Sequence, residues 1–269
     1  MRNKKGIVLI FVLVTLATLS LLGLGLSFRA RIDNKISRYF ASEYKMINLA
    51  QSKLNQIMFE IIQDDNNYDS FEEDWAKGAS YELEGDVSFR MTVEDEDGKL
   101  DINAASKEWL SSLFIGLEYL IDEIIKNKPF LIEEEILSLE AAEDSNFLKE
   151  DKYKIFNLVT TQNHDKINVN TIREEIIRTL PGLSSSAAET ILSLRETQPI
   201  ENLEVLKDLE GLTANELQSL NSILKMTSSF YTVRMLIDDK KNRIKKSFRI
   251  TLKKDPENKT IRIVRWLEQ

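Results

Sequence analysis

The chain has no cysteine and a single histidine, His164. Without thiols there is neither a disulfide framework nor a thiolate metal site. One imidazole excludes a multi-histidine metal centre, and a Ser-His-Asp triad would have to use His164 itself. That residue sits in the polar run TTQNHDK, where a solvated loop histidine is expected. A Gly-rich phosphate loop, G-x-S-x-G and H-E-x-x-H are missing as well. Carboxylates are plentiful, but no motif places a pair of them, so these absences point away from an enzyme. Proline and glycine are scarce, four and nine in 269 residues, and none falls between Ser27 and Lys77. A long helix there would meet no breaker.

What is present is a strong asymmetry of charge and hydropathy. Arg2, Lys4, Lys5, Arg29 and Arg31 give the first 31 residues a charge of +5; the whole chain carries −8, so the remainder carries −13. An acidic body argues against a nucleic-acid partner held by phosphate contacts. Ile7 to Phe28 contains no charged residue, and as a helix it would extend about 33 Å, the thickness of a bilayer's hydrocarbon core. A secretory signal has an apolar region of roughly 7 to 15 residues and a small-x-small cleavage site; this run is longer, and Phe28-Arg29-Ala30-Arg31 offers no such site. An uncleaved signal anchor, or cleavage on the cytoplasmic side after Gly6, fits better. The basic N-terminus favours the cytoplasm for that end, although Arg29 and Arg31 reduce the bias.

Beyond the apolar run, Ile32, Ile36, Phe40, Ile47, Ala50, Leu54, Ile57 or Met58, and Ile61 recur three or four apart for the most part. This predicts one continuous helix over about 7–63, its second half lying on a soluble domain. DDNNYDSFEEDWAKGAS reads as a loop anchored by Trp75. In SYELEGDVSFRMTVEDEDGKLDIN, Val87, Phe89, Met91 and Val93 alternate with polar residues between turns at Glu84-Gly85-Asp86 and Asp97-Gly98, the pattern of strands. The run Asp95, Glu96, Asp97 lacks the spacing and terminal glutamate of an EF-hand loop and reads as a solvated turn.

From 104 to 226 the period becomes helical. ASKEWLSSLFIGLEYLIDEII, FLIEEEILSLEAA, TIREEIIRTL, SSAAETILSLRET and TANELQSLNSIL are separated by Pro129, Pro181-Gly182, Pro199 and Gly211. Thr171 with Glu174, and Thr213 with Glu216, form capping-box pairs. Three alternating runs close the chain, with Tyr231, Val233, Met235 and Ile237, then Phe248, Ile250 and Leu252, then Ile261, Ile263 and Leu267, each set on one face. The turns Asp238 to Arg243 and Asp255 to Lys259 are short, so an antiparallel meander is expected. Strands on both sides of a helical stretch predict an α+β chain with an inserted helical domain.

Two stretches carry family resemblances. Leu180-Pro181-Gly182-Leu183 resembles the hairpin turn of helix-hairpin-helix domains. DNA-binding versions usually follow this turn with a second glycine; here Ser184 follows, and from Ile172 to Met226 nine acids stand against five bases. That balance is the reverse of a phosphate-binding surface. At the other end, Lys4-Lys5-Gly6 before a long apolar helix resembles the class III leader of type IV pilins and pseudopilins. The resemblance implies that a prepilin peptidase cuts between Gly6 and Ile7 and methylates the new amine. Most members carry glutamate at the fifth residue after the cut, where this chain has Phe11. A carboxylate in lipid is costly unless paired, and in a filament its partner is the amine of an adjoining subunit. A subunit at the filament's end has no such amine beyond it, so Phe11 suits a terminal position.

Together with DSFEEDWA, VEDEDGKLDINA, the INVNT and LPGL stretches and the late strands, these features resemble, over nearly the whole chain, the minor pseudopilin GspK of type II secretion systems. The resemblance implies an α+β pseudopilin fold: a long N-terminal transmembrane and amphipathic helix packed on an antiparallel sheet, and a large inserted all-α domain with a helix-hairpin-helix-like (SAM-like) segment. The corresponding parts are a leader at 1–6, a transmembrane helix at 7–28, its amphipathic continuation at 29–63, a loop and first strands at 64–103, the inserted domain at 104–226 and the final strands at 227–269. It further implies a non-enzymatic, single-pass protein of the bacterial inner membrane, N-terminus cytoplasmic and soluble domain periplasmic. Such a subunit caps the pseudopilus tip and helps initiate assembly for protein export across the outer membrane. The implied partners are GspI-like and GspJ-like minor pseudopilins, the major pseudopilin, prepilin peptidase and the inner membrane, with no nucleic acid. No cofactor is expected; some members bind calcium, and no ligands are assigned in this chain. A type IV pilus minor pilin, or a membrane-anchored helix-hairpin-helix DNA receptor of the competence type, is the alternative.

Overall fold

A computed structural model of the chain describes residues 2–83, 86–143, 147–162, 166–209 and 212–268. His164, Glu84, Gly85 and Gly211 lie outside the described residues. Helix α1 spans Arg2–Gln63 without a break, about 93 Å at ~1.5 Å per residue. The chain continues through a 3₁₀ turn at Asp74–Lys77 into strands β1 (Ala79–Leu83), β2 (Val87–Asp95) and β3 (Leu100–Asp101). Helices α2 (Lys107–Leu113) and α3 (Glu118–Asn127) follow, then 3₁₀ turns at Glu133–Ser138 and Glu140–Glu143, α4 (Lys149–Leu158), β4 (Val159–Thr160) and β5 (Ile167–Asn168). After α5 (Glu174–Ile177), α6 (Ser185–Thr197), a 3₁₀ turn at Leu203–Asp208, α7 (Ala214–Ile223) and β6 (Leu224–Lys225), the chain ends in β7 (Phe230–Asp239), β8 (Ile244–Asp255) and β9 (Thr260–Glu268).

Strands β1, β2, β7, β8 and β9, in that order, make one antiparallel sheet. Every residue of α1 from 6 to 41 is exposed; beyond that the helix buries Met46, Ala50, Leu54, Ile57 and Ile61, the spacing of a single helix face. The expected stripe is observed from Ala50 onward, while Ile32, Ile36 and Phe40 stay exposed and Met46 takes the place of the half-buried Ile47. The inward positions of β2, β7 and β8 meet this face: Val87 to Val93, Tyr231 to Ile237, and Phe248 to Leu252, two residues apart. Trp75 closes the core as expected, 2% exposed, its ring edge-on to Tyr231 with centroids 5.1 Å apart.

The last strand departs from simple alternation. Thr251 pairs with Arg265 but Leu252 pairs with Ile263, leaving Val264 as a bulge. An extra residue inverts the facing of everything after it. Ile261 and Trp266 therefore pack on the core, with Trp266 against Phe248 at 5.8 Å, while Leu267 faces the other way beside Arg249. Placing Leu267 with Ile261 and Ile263 was wrong for this reason.

A second core runs from Leu100 to Leu224 and contains the helices. Its inner details differ from the periodic reading. The first helical segment splits into α2 and α3 at Gly116, whose φ is +88°. FLIEEEILSLEAA forms 3₁₀ turns, because Glu133 and Glu134 reach outward to Arg265 and Arg249 of the sheet while Glu135 accepts from the Leu131 amide at 2.7 Å. TIREEIIRTL shrinks to α5; Thr171 spends its hydroxyl on Asp95 instead of capping, and Arg173 precedes the helix without a side-chain cap. The Thr213 and Glu216 box forms as expected, with reciprocal bonds of 3.3 and 2.8 Å. Two short parallel ladders, β3 on β4 and β5 on β6, sit where the chain leaves the sheet after β2 and returns to it before β7.

Candidate functional site

Gly6, Ile7 and Phe11 lie together near the start of α1. Ile7 is 65% and Phe11 73% exposed, and a Cβ at Gly6 would meet nothing within 4 Å. The helix is long and apolar enough to cross a membrane. Above the apolar run, before the helix meets the sheet, Ile32, Ile36, Tyr39, Phe40 and Tyr44 are all exposed. A contiguous apolar surface of this kind on a helix marks a place for a partner.

The second candidate is the junction between the two cores, where the acidic run expected to be a solvated turn is buried. Asp95, Glu96 and Asp97 are 5%, 4% and 0% exposed. Asp95 is the next inward position of β2 after Val93, and Asn168, Thr171 and Ser228 converge on it. Its Oδ2 accepts from Ser228 Oγ at 2.5 Å, from Asn168 Nδ2 at 3.1 Å and from the Thr171 hydroxyl, and its Oδ1 accepts from the Asp97 amide at 2.9 Å. Asp97 Oδ2 accepts from the Ser229 amide at 2.8 Å and from Lys225. Burial, with the Asp97 charge second, pushes the Asp95 carboxyl up to about 7. Asp69 joins from the loop after α1, accepting from Tyr231 Oη at 2.6 Å, the Ser228 amide at 2.7 Å and Lys254 at 3.2 Å. Burial, then Asp69 and Asp95, holds the Tyr231 phenol well above its ordinary value, so it stays a donor.

Beside this network Lys99 is buried against Glu94 and Glu96 at 3.0 and 3.1 Å. Burial alone would lower its pKa, but Glu96 and Glu94 outweigh it and raise the ammonium above its ordinary value; Glu96 is correspondingly held low, mainly by Lys99, against its own burial. Gly98 passes so close to the helical block that a Cβ would lie 2.6 Å from the Thr171 carbonyl. The arrangement fixes one core to the other and leaves little space for a substrate.

Among the described residues, the carboxylates that converge closely enough to share a cation are those of Asp64, Asp69 and Glu73. Their all-oxygen chemistry suits a hard ion such as calcium, and burial raises the carboxyls of Asp64 and Glu73. Of these three carboxylates, Asp64 alone has a buried oxygen, Oδ2, without a partner. Glu73 already accepts from Trp75, Asn66 and Ser70, and Asp69 from Tyr231, Ser228 and Lys254. An ion there would have to compete with these donors.

The hairpin at Leu180 to Leu183 forms around Gly182, whose φ is +79°. The Ser184 amide, at the start of α6, donates to Glu216 Oε1 at 3.0 Å, and the Ser184 hydroxyl first, then the Thr213 amide and hydroxyl and the Ser184 amide, hold the Glu216 carboxyl down to about 2. A carboxylate from α7 thus occupies the position where a phosphate would approach. The junction's members come from segments as distant in the chain as Asp69 and Lys254, and the signal available in the sequence was the period-2 continuation of β2 to Asp95.

A family model described as a helix-hairpin-helix motif matches residues 162–225. No curated protein sequence matches the chain. Among solved structures, the crystal structure of the GspK-GspI-GspJ complex from the enterotoxigenic Escherichia coli type 2 secretion system is similar, with a TM-score of 0.64 at 13% identity, covering 90% of this chain and 99% of that chain. The fold is therefore pseudopilin-like, of the α+β class expected.

Proposed function

We propose that the chain is a minor pseudopilin of a type II secretion system that caps the pseudopilus tip and helps start its assembly. The observation that carries this reading is the combination of one α1, apolar in its first half and packed on an antiparallel sheet in its second, with a helical block set between β2 and β7. The GspK-GspI-GspJ complex has a chain of similar fold over nearly its full length. On this reading the block at 104–226 is the inserted domain, a mass wide enough to obstruct addition of a further subunit above it. Partner helices, those of GspI-like and GspJ-like subunits among them, pack along 7–63, and Phe11 replaces a glutamate that would have no amine to pair with. The role is structural, without catalysis.

The test is intact mass and N-terminal sequencing of the full chain expressed with and without a prepilin peptidase. The expected product begins at N-methylated Ile7 only when the peptidase is present, and Gly6→Leu blocks it. A chain beginning at Met1 in both cases overturns the assignment. The helix-hairpin-helix match also admits a DNA-receptor reading, which the Glu216 carboxylate at the Ser184 amide and the acidic surface of the hairpin oppose.

A further inference from the structure

At one end of the sheet the turn between β7 and β8 folds against α1. Ser42 donates to Asp239 and Lys246 pairs with Glu43, so the base of this hairpin is fixed to the helix. Beyond that base, Lys241 and Arg243 face Arg31, Lys35 and Arg38 across a cleft of about 550 Å³ that Tyr39 also lines. Neighbouring cations are satisfied: Arg29 pairs with Asp33, Lys240 with Glu82, and Lys246 with Glu43 and Glu268. The five in the cleft have no carboxylate partner among the described residues. Five unpaired cations around one cleft repel one another, and an anion held between them would relieve that repulsion.

Position says which anion. Arg31 lies three residues past Phe28, ~4.5 Å beyond the apolar run, and Arg38 ~15 Å beyond it. The headgroup layer flanking the hydrocarbon is roughly 5–7 Å thick on each side, and long cationic side chains reach back toward it. Guanidinium groups bind phosphate oxygens in a fork. We propose that the β7–β8 hairpin and the α1 segment 31–38 form a collar that binds the headgroup phosphates of anionic phospholipids. The hairpin is then a second point of attachment to the bilayer, which the subunit must release when it leaves the membrane. The proposal rests on α1 spanning the membrane.

The test uses the full chain reconstituted in mixed bilayers, with spin-labelled phosphatidylglycerol or phosphatidylcholine as the probe and electron paramagnetic resonance as the readout of lipid held at the protein. Phosphatidylglycerol should be preferred. Each cation near an anionic surface is worth about fivefold in association, so Lys241→Gln with Arg243→Gln should reduce the preference by up to about 25-fold while Arg31, Lys35 and Arg38 keep a residual part. Arg31→Gln with Arg38→Gln, which leaves the hairpin intact, should reduce it similarly, and 0.5 M salt should remove it. Circular dichroism checks that each variant is folded. Equal preference in the wild type and both folded variants overturns the collar, as does equal retention of the two lipids; in the latter case salt-sensitive binding of poly-glutamate would assign the cleft to an acidic protein segment instead. If neither labelled lipid is retained at all, α1 is not in the bilayer, and the membrane reading falls together with the collar.

Discussion

Replacing Asp95 by asparagine tests whether the buried junction behaves as its geometry requires. The carboxyl is pushed up to about 7 by burial and by Asp97, from an ordinary 3.8, so keeping it ionised in the native state costs on the order of 4 kcal/mol. Between about pH 4 and pH 7 the unfolded chain has released this proton and the native chain has not. The native state then binds more protons, and its stability falls as pH rises through that window. The contribution is complete below pH ~4 and lost above the folded value. Asparagine does not titrate. Its amide oxygen can replace Oδ2 as acceptor for Thr171, Ser228 and Asn168, which leaves its NH₂ facing the Asp97 amide, a lost bond costing about 1–3 kcal/mol at every pH. The variant should therefore unfold more easily than the wild type at pH 4.5, draw level as pH rises, and become the more stable of the two by pH 8. Urea unfolding of the full chain in detergent, followed by circular dichroism from pH 4.5 to 8, gives the difference directly. Other displaced carboxyls, such as Glu96 and Asp239, contribute to both proteins and cancel. A stability difference that stays constant over this range would refute the reasoning.

Two further substitutions probe neighbouring features. Lys99→Met leaves Glu94 and Glu96 without their buried ammonium and should cost about 3–5 kcal/mol at pH 8, with the loss shrinking in acid as Glu96 takes up a proton; a loss independent of pH would place the cost in packing instead. Gly182→Ala adds a Cβ at φ +79°, 3.2 Å from Ser219 Oγ, and should cost about 1–3 kcal/mol in thermal unfolding, whereas an unchanged melting temperature would show that the hairpin turn can adjust.

The parts of the fold that were legible in the sequence are those governed by local periods. Ala50, Leu54, Ile57 and Ile61 announce the buried face of α1, and Val87 to Val93 and Tyr231 to Ile237 announce the inward positions of the sheet. What escaped depends on contacts between distant segments. Asp95 continues the alternation of β2 inward, but four successive acids before a glycine, Glu94 to Asp97, look like a turn unless Asn168, Thr171 and Ser228 are known to meet Asp95. Glu133 and Glu134 sit in a helical pattern yet answer to Arg265 and Arg249, and ion pairs to another element override a weak local propensity. The bulge at Val264 is one residue of register with no composition of its own. Two-residue ladders such as β3–β4 are too short to show any period.

Net charge was the most misleading single quantity. The −8 of the whole chain conceals −21 on residues 64–226 and +13 on the rest, and the fold keeps those two populations largely apart. Strand β7 runs from the junction at Phe230 to the basic turn after Asp239, ten residues or about 33 Å. The junction and the cationic cleft therefore stand at opposite ends of the sheet, the cleft beside Arg31 to Tyr39 of α1 and the junction beyond the helix's last turn, where the Asp69 amide donates to the Met226 carbonyl. The helical block is rooted at the junction, with the acidic mass at the end away from the apolar run. The same partition that defeats a phosphate-binding reading of the hairpin at Pro181-Gly182 sets the basic β7–β8 turn apart from the acidic block, and the buried bonds around Asp95 fix that block to the far end of the sheet.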